Sequence, residues 1–369
     1  MIGLSIGWRL ATAGCEVDVF ERGAAGRGAS WAAAGMLAAG VETEPGELAL
    51  YELNRASQRL WPGFARALEA ASGLSVGYRA EGTLRIALTR DDAARLRATY
   101  EFQRQSGIVL EWLTGAEVRR REPHLAAGVA AGVSSAEDHQ VDNRLVVPAL
   151  IAALRRAGGR LHEHAAINRV EIANGRAVGV RAGDELVAAD TVVLAAGAWS
   201  RDIDGLPPAA RPPVRPVKGQ MLALRMNPET PMLRHVLWTP RAYLVPRKDG
   251  RLIVGASVEE RGFDPSLTAG AMFALLDAAW RALPGTEELP IDEMWAGFRP
   301  GSRDDAPILG ACAVDRLVLA TGHYRNGILL TPITAEAISR LILTGESDPA
   351  IVPFGLNRFA TQAWTRETA

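Results

Sequence analysis

The sequence predicts an α/β fold with two interleaved domains, and three observations support this prediction. The segments 191–197 and 317–322 are apolar runs that end in glycine, as buried parallel strands do. Residues 3–21 combine an apolar helix, a glycine and an alternating strand, which is typical of part of a nucleotide-binding βαβ unit. The turn at 247–250 separates two β-rich runs and predicts an antiparallel hairpin. Parallel-type segments therefore occur at the start, middle and end, with antiparallel material between them.

The individual elements follow from local patterns. Gly14, which easily adopts the left-handed cap, ends the first helix, and two glycines at 158–159 follow a later one. Thr331 and Pro332 suit the cap and the first turn of the last helix. In chain order, helical patterns predict helices over 3–11, 47–72, 91–107, 145–158 and 331–344. Strands are predicted over 15–21, 82–88, 167–171, 177–180, 191–197, 243–246, 251–256 and 317–322.

Composition excludes several classes of protein. The 369 residues exceed what one hydrophobic core usually serves. Lys+Arg 41 against Asp+Glu 42 gives a net charge of -1 with no block of like charge, which argues against nucleic acid or a membrane surface as the main partner. Only two cysteines occur, which fits a reducing compartment. Because the chain shows no apolar run of about 18 residues and no export signal, we expect a cytoplasmic protein.

The first residues predict half of a dinucleotide-binding unit. A helix and a strand that ends in Glu21 match the second half of that unit, whereas only Met1 and Ile2 precede Gly3. We interpret Gly3 as the last glycine of G-x-G-x-x-G and expect that Met1 is not the natural start. On that expectation the full protein carries about ten more residues, which form a strand followed by Gly-x-Gly.

Two features indicate a nucleotide cofactor. Glu21 can accept hydrogen bonds from both hydroxyls of an adenosine ribose and disfavours a 2′-phosphate, so FAD or NAD is favoured over NADP. The alternative is a solvated acid at the end of a strand. The run 28–37 is rich in Ala and Gly, and such small side chains let the backbone approach a planar ligand closely. The alternative here is a tightly packed helix.

Five motifs resemble those of a known enzyme family. They are Ala32-Ala33-Ala34-Gly35-Met36-Leu37, Arg215-Pro216-Val217-Lys218-Gly219, Tyr243-Leu244-Val245-Pro246-Arg247-Lys248-Asp249-Gly250-Arg251, Trp295-Ala296-Gly297-Phe298-Arg299-Pro300-Gly301 and Gly322-His323-Tyr324-Arg325-Asn326-Gly327-Ile328-Leu329-Leu330. With them the chain resembles the FAD-dependent amine oxidases of the D-amino acid oxidase superfamily, and within it the glycine oxidases of bacterial thiamine biosynthesis. Each motif is weak alone, but five in the same order leave little room for chance.

The resemblance implies a fold with defined boundaries. A discontinuous FAD-binding domain of glutathione-reductase type is expected over 1–75, 140–207 and 300–345. A substrate domain with an antiparallel sheet is expected over 76–139 and 208–299, and a C-terminal tail over 346–369. The resemblance also implies a homotetramer.

The segment around Arg299 predicts the substrate anchor. It places one arginine among apolar and small residues, where an unpaired guanidinium is expensive to bury. A substrate carboxylate would satisfy that guanidinium with two hydrogen bonds; a salt bridge to an internal acid is the alternative. The resemblance makes Arg299 the residue that binds the carboxylate and assigns Tyr243 and Arg325 to the substrate, although a lone tyrosine is more often part of a core.

The resemblance also implies a set of contacts to non-covalent FAD. The segment before the last helix would direct N–H groups and the positive helix end at the N1/O2 edge of the flavin. His323 lies there and suggests a general base, but flavin-dependent amine oxidation does not require one. The expected FAD contacts are Ile2, Gly3, Glu21, Arg22, Ala29, Ser30, Ala34, Gly35, Met36, Ile167, His323, Tyr324, Arg325, Asn326, Gly327, Ile328 and Leu329.

The implied reaction is the oxidative deamination of glycine, or of small amines such as sarcosine or D-alanine, to an imine and then glyoxylate. O2 would accept the electrons as hydrogen peroxide, and the product would supply the thiazole branch of thiamine biosynthesis. Two alternatives stay open. One is a D-amino acid dehydrogenase of the same superfamily that passes electrons to a quinone. The other is a flavin-free remnant, which the missing phosphate turn suggests.

Three further positions refine the prediction. Arg241 stands where glycine oxidases can carry a histidine, and the two-residue period of a strand places it on the face of Tyr243 at the pocket. Cys312 follows a stretch that the flavin-linked cysteine of sarcosine oxidases precedes, so a small buried thiol is expected. His162 and His164 have no evident third ligand, so we predict no metal site.

Overall fold

The structure is a computed structural model that describes residues 1–360, so residues 361–369 of the predicted tail lie outside the described residues. The helices in that range are α1 (Ile2–Thr12), α2 (Ala29–Ala32), α3 (Leu48–Ser72), α4 (Arg90–Gln105), α5 (Gly115–Arg121), α6 (Asn143–Arg156), α7 (Ala269–Ala282) and α8 (Thr331–Thr344). The first nine strands are β1 (Asp18–Phe20), β2 (Met36–Leu37), β3 (Thr83–Ala87), β4 (Glu111–Thr114), β5 (Ala131–Ser135), β6 (His139–Gln140), β7 (Arg160–His162), β8 (Ile167–Ala173) and β9 (Arg176–Ala182). The others are β10 (Glu185–Ala188), β11 (Val192–Leu194), β12 (Arg215–Arg225), β13 (Val236–Trp238), β14 (Tyr243–Pro246), β15 (Arg251–Gly255), β16 (Ile291–Gly301), β17 (Ile308–Ala311) and β18 (Leu317–Thr321).

The chain divides into two compact units, each of them built from separate segments. Among the described residues, unit 1 contains Met1–Arg27, Leu150–Pro216 and residues 299–360. Unit 2 contains Gly28–Ala149 and Val217–Phe298.

These units differ from the predicted domains mainly at 28–75, which was assigned to the FAD-binding domain but packs within unit 2. The reason is that Ala32 and Ala34 are buried with Met221 and Val245 in one core. The units describe packing, and the functional boundaries stay a prediction.

Unit 1 contains the predicted parallel strands. β1 pairs in parallel with β7, and β11 pairs in parallel with β18. β18 continues antiparallel to β17, while β8, β9 and β10 form a separate antiparallel sheet. α1 and α8 pack against each other. The sequence prediction of an α/β fold with glycine-capped parallel strands is confirmed.

Unit 2 is organised around an eight-stranded sheet in the order β16-β12-β15-β14-β13-β3-β5-β4. The predicted hairpin is present, because β14 and β15 pair antiparallel with Tyr243 opposite Gly255. The side chains alternate between two cores. Leu222, Leu244 and Val254 face α7 in one core, whereas Met221 faces the Ala29–Leu37 side in the other.

The last helix begins differently from the prediction. Its N-cap is Leu330, and no side chain caps it. The hydroxyl of Thr331 donates instead to the carbonyl of Gly327 at 2.8 Å, so the predicted cap at Thr331 is wrong, while Pro332 lies in the first turn as predicted. Across residues 1–360, no helix combines the length and the apolar character that crossing a membrane requires.

Candidate active site

In unit 1, α1 lies close to the parallel strands because it carries glycines. A Cβ on Gly7 would lie 3.0 Å from Cγ2 of Val19, and a Cβ on Gly3 would lie 3.4 Å from Cβ of Ala195. The first turn of α1 contains no acidic residue and has no side-chain cap. The N–H groups of a first helical turn have no intrahelical acceptor and favour an anion. This arrangement fits a phosphate at the start of α1.

Glu21 and Arg22 follow β1 and form the next part of the candidate site. The N–H of Glu21 donates to the carbonyl of His162 at 2.9 Å, and its Oε1 accepts from the N–H of Gly23 at 3.2 Å. A carboxylate accepts several hydrogen bonds and donates none, which suits ribose hydroxyls. The guanidinium of Arg22 lies 3.6 Å from the ring centroid of Trp199.

The segment after β18 is also in unit 1 and begins with a buried histidine. His323 is 3% exposed, and its Nε2 lies 3.1 Å from Oγ1 of Thr334. Burial lowers the pKa of His323 to about 3, so the imidazole is neutral at physiological pH. An imidazole with that pKa is a poor proton acceptor, which argues against His323 as a general base.

Arg299 lies near the end of β16. Within unit 1, the end of this strand is hydrogen-bonded to the segment that follows β18. The N–H of Tyr324 donates to the carbonyl of Pro300 at 3.0 Å, and Gly301 forms an antiparallel bridge with His323. The guanidinium of Arg325 lies 5.3 Å from the ring centroid of Tyr324. Arg299 is partly exposed and Arg325 is exposed. Two of the predicted substrate residues therefore lie on backbone segments that are hydrogen-bonded to each other.

Tyr243 belongs to unit 2, where its ring lies over a glycine. A Cβ on Gly255, the residue opposite, would lie 2.6 Å from the ring and the hydroxyl of Tyr243. The ring packs 5.2 Å from that of Trp238, measured between centroids. The hydroxyl lies 3.8 Å from Sδ of Met221, a weak acceptor. The glycine therefore lets the tyrosine lie across the sheet with its hydroxyl on the face of Met221.

The predicted FAD segment 29–36 also lies in unit 2. Ala34 and Gly35 are buried, and Met36 pairs with Gln140. Gly35 has a φ of 70°, and a Cβ there would lie 2.1 Å from the carbonyl oxygen of Val141. Only glycine fits this position without a shift of the backbone.

The expectation that Arg241 shares the face of Tyr243 is wrong. Its Nη1 lies 3.5 Å from Oδ2 of Asp277 on α7, on the opposite side of the sheet. A turn interrupts the alternation, because the N–H of Thr239 donates to the carbonyl of Ala242 and its hydroxyl accepts from the N–H of Ala242. β14 begins only at Tyr243, so the two-residue period does not extend back to Arg241.

The structure distributes the predicted residues over both units. Unit 1 holds Ile2, Gly3, Glu21, Arg22, Ile167, Arg299, His323, Tyr324, Arg325, Asn326, Gly327, Ile328 and Leu329. Unit 2 holds Ala29, Ser30, Ala34, Gly35, Met36 and Tyr243. Ile167 starts β8, opposite Ala182.

Sequence reasoning missed two groups of residues beside these positions. Trp199, which stacks on Arg22, follows a glycine-capped strand, and that position was a usable signal. Asn143 and Arg247, which bind the backbone of the segment 30–34, carried no signal in the sequence because their partners lie more than 100 residues away.

Cys312 shows no sign of a reactive thiolate. Its Sγ lies 3.5 Å from the carbonyl oxygen of Leu317, and burial raises the pKa of the thiol. Within residues 1–360 no group of three or more His, Cys, Asp or Glu side chains is arranged to hold a metal ion.

Comparison with known proteins decides the family. Residues 1–341 match the family model "DAO: FAD dependent oxidoreductase". The chain belongs to this family. The protein is a FAD-dependent oxidoreductase.

Relatives with assigned names include glycine oxidases. The chain is 34% identical to glycine oxidase from Geobacillus kaustophilus, over 97% of this chain and 94% of that protein. The crystal structure of that enzyme has a TM-score of 0.89 and covers 97% of this chain and 96% of its own. The bifunctional protein ThiO/ThiG from Trichormus variabilis is 37% identical over 99% of this chain. The chain spans only about half of that relative, 55% of its length.

The residues present fit FAD. In unit 1, the glycines of α1 allow the close helix–strand packing of a dinucleotide site, and the Glu21 carboxylate offers the acceptors that a ribose requires. In unit 2, Gly35 marks a backbone that approaches its neighbours too closely for any side chain. In unit 1 the start of α1 would hold the pyrophosphate, and Glu21 would hold the ribose of the adenosine.

Proposed function

We propose that this protein catalyses the FAD-dependent oxidative deamination of glycine. Glycine, O2 and water become glyoxylate, ammonia and hydrogen peroxide, and small amines such as sarcosine or D-alanine are further candidate substrates. The observation that most supports this proposal is Arg299 near the end of β16, where Gly301 forms a bridge with His323, in a chain whose relatives include glycine oxidases over nearly its full length.

FAD, when bound, supplies the acceptor for the two electrons that the amine loses. Arg299 binds the substrate carboxylate with two parallel N–H···O hydrogen bonds, which fixes its orientation as well as its charge. We propose Tyr243 as a second donor to the carboxylate. Its hydroxyl lies 3.8 Å from the thioether sulfur of Met221, and a carboxylate oxygen is a much stronger acceptor than a thioether.

Burial makes His323 unavailable as a base for the substrate amine. Because its pKa is about 3, the imidazole does not take the amine proton at neutral pH. We therefore propose that glycine binds with a neutral amine and that kcat/KM increases with pH until the amine is fully deprotonated. Thr334 holds the imidazole in place through its hydroxyl.

The test is a peroxide assay with purified protein across glycine, sarcosine, D-alanine and D-proline. Glycine-dependent peroxide at a rate that accounts for O2 consumption supports the proposal. Turnover that requires a quinone and produces no peroxide would instead identify a D-amino acid dehydrogenase. A colourless protein without flavin absorption would identify a flavin-free remnant.

We propose further that the product feeds the thiazole branch of thiamine biosynthesis. The support is the name of the bifunctional relatives, of which this chain matches about half. Restored growth of a thiamine auxotroph that lacks glycine oxidase would agree with this role. A cytoplasmic homotetramer is proposed from the same resemblance, and light scattering of the purified protein measures its assembly state.

A further inference from the structure

Two polar side chains bind the backbone carbonyls of the segment Ser30–Ala34. Nδ2 of Asn143 donates to the carbonyl oxygens of Ser30 and Trp31, at 2.8 and 3.1 Å. Nη2 of Arg247 donates to the carbonyl oxygen of Ala34 at 2.6 Å. The two side chains also bind each other, because the same Nη2 lies 3.0 Å from Oδ1 of Asn143. We call Asn143 and Arg247 the carbonyl clamp.

An aromatic and cationic cluster holds the middle of the same segment. Nε1 of Trp295 donates to the carbonyl oxygen of Ala32 at 3.0 Å. The guanidinium of Arg144 lies 3.8 Å from the ring centroid of Trp31 and 4.6 Å from that of Trp295, and its Nη1 lies 2.7 Å from Oε2 of Glu293. The carbonyls of four of the five residues in the segment therefore accept hydrogen bonds from side chains of other elements.

The clamp arginine is buried among neutral oxygens. Arg247 is 5% exposed, and its Nη1 donates to Oε1 of Gln140 and to the carbonyl oxygen of Val141, at 2.9 and 2.8 Å. Burial lowers its pKa to about 10, so it remains charged at neutral pH. A buried guanidinium that bonds only to amide oxygens costs more than one paired with a carboxylate. Its geometric fit to four acceptors offsets this cost.

After Trp31, the side chains of the segment are too small to fix its backbone by themselves. Ala32, Ala33 and Ala34 offer one methyl group each, and Gly35 offers none. At Gly35 a Cβ would lie 2.9 Å from Nη2 of Arg247 and 3.1 Å from Oδ1 of Asn143. The clamp therefore packs directly against Gly35, while Ala32 and Ala34 are buried in a core with Met221 and Val245.

We propose that Asn143 and Arg247 are positioning residues for FAD, which hold the backbone of 30–35 in the conformation that the flavin requires. This inference rests on the use of FAD in the proposed function, but not on the identity of the amine. The bonds of the clamp go to carbonyl oxygens, so they set the orientation of the peptide planes between Ser30 and Gly35. A change in that orientation moves every group that these planes present to the cofactor.

The test compares holoenzyme variants by the rate at which FAD leaves the protein, measured from the recovery of free-flavin fluorescence after dilution. The variants are Arg247→Met, Arg247→Lys and Asn143→Ala. The matched control is Arg79→Met, because Arg79 also donates to two carbonyls of unit 2, those of Pro246 and Arg234, without a bond to the segment. The visible spectrum of the bound flavin and the thermal midpoint are recorded for each.

We expect Arg247→Met and Asn143→Ala to release FAD at least tenfold faster and to shift the flavin absorption, with a thermal midpoint of the flavin-stripped protein close to that of the parent. Arg247→Lys keeps the charge but reaches fewer acceptors, so it restores only part of the loss. If Arg247→Met does not fold, Asn143→Ala carries the test.

Three results would overturn the proposal: FAD release within twofold of the parent in both clamp variants, an equal effect of Arg79→Met, or failure of both clamp variants to fold. The last result would assign the clamp to general stability. These outcomes are separate from failure of the proposed function, since a protein that holds FAD but does not oxidise glycine still reports on the clamp.

Discussion

A glycine near Arg299 and another near Tyr243 each let two segments of the backbone approach closely. Gly297 precedes Arg299 by two residues on β16, and a Cβ there would lie 2.3 Å from Cβ of Ala32. Gly255 gives the ring of Tyr243 room to lie across the sheet. In both cases the missing Cβ avoids a clash that any other residue would cause.

Replacing Arg299 with alanine tests the substrate anchor. Loss of a charge-assisted pair to the carboxylate costs about 3–5 kcal/mol, so we expect kcat/KM for glycine to fall roughly 10²- to 10⁴-fold, mainly through KM, with FAD retained. Steady-state kinetics and the flavin-to-protein ratio measure both effects. Arg303→Ala, at an exposed arginine four residues away, is the control. Unchanged kinetics in Arg299→Ala would refute the assignment.

Replacing Gly255 with alanine tests the position of Tyr243. The added Cβ would lie 2.6 Å from the ring, so the ring must move, and we expect a loss of about 1–3 kcal/mol of unfolding free energy together with a higher KM for glycine. Urea unfolding and kinetics provide the measurements. In the double variant Gly255→Ala/Tyr243→Ala the stability loss caused by the clash should disappear. Gly63→Ala is the control, because a Cβ there meets nothing within 4 Å.

At the scale of elements, a buried carboxylate organises the approach to β13. Oε1 of Glu122 accepts from the N–H groups of Arg234 and His235, at 3.0 and 2.8 Å, and lies 2.6 Å from Nδ1 of His235. Glu122 is 1% exposed and directly follows α5. β13 begins one residue after His235 and pairs with β14 and β3. The carboxylate therefore joins a helix end to the middle of the large sheet.

We expect Glu122→Ala to lower the free energy of unfolding by about 2 kcal/mol or more, because it leaves two partly buried N–H groups and the imidazole of His235 without their acceptor. Glu122→Gln should recover part of this loss through its amide oxygen. Glu101→Ala, which removes an exposed ion pair on α4, should cost no more than about 1 kcal/mol. Equal midpoints for the Glu122 and Glu101 variants in urea would contradict this account.

At the scale of the whole molecule, each unit is assembled from segments far apart in the sequence. Unit 1 brings β1, β7, β11 and β18 together only after the chain has passed through unit 2. The stability of unit 1 therefore depends on contacts between distant segments. His323, which is buried just after β18, is a titratable group that reports on this stability.

His323 makes the stability of the molecule depend on pH in a defined direction. Its pKa is about 3 in the folded protein and 6.5 as the ordinary value. Between these values the unfolded chain takes up a proton that the folded protein does not, so the free energy of unfolding falls as the pH decreases below 6.5. From pH 7.5 to pH 5 this single group accounts for a loss of about 2 kcal/mol.

Urea unfolding of the parent and of His323→Gln at pH 7.5 and pH 5 measures this contribution. The glutamine cannot take up a proton, so we expect the variant to lose about 2 kcal/mol less than the parent over this interval. His124→Gln, at an exposed histidine, should keep the pH dependence of the parent. The same pH dependence in all three proteins would show that His323 is not excluded from protonation by burial.

Local sequence patterns predicted several elements correctly and missed others for one reason. α3 and α8 span the predicted segments, and the β14–β15 hairpin follows its Asp-Gly turn. β12 and β16, each of 11 residues, were not predicted as strands. In both strands charged, polar and apolar residues follow one another without a regular period of two. Their pairing in the sheet stabilises them instead.

The sequence alone determined the fold class, the FAD-dependent family and the candidate residues, because glycine-capped apolar runs and ordered motifs are properties of neighbouring residues. Tertiary structure decided which face Arg241 occupies, because a turn at Thr239–Ala242 interrupts the strand period there. It also decided that the segment 28–37 packs with unit 2 and is held by Asn143 and Arg247. These contacts join residues more than 100 positions apart, and only folding brings such groups within hydrogen-bonding distance.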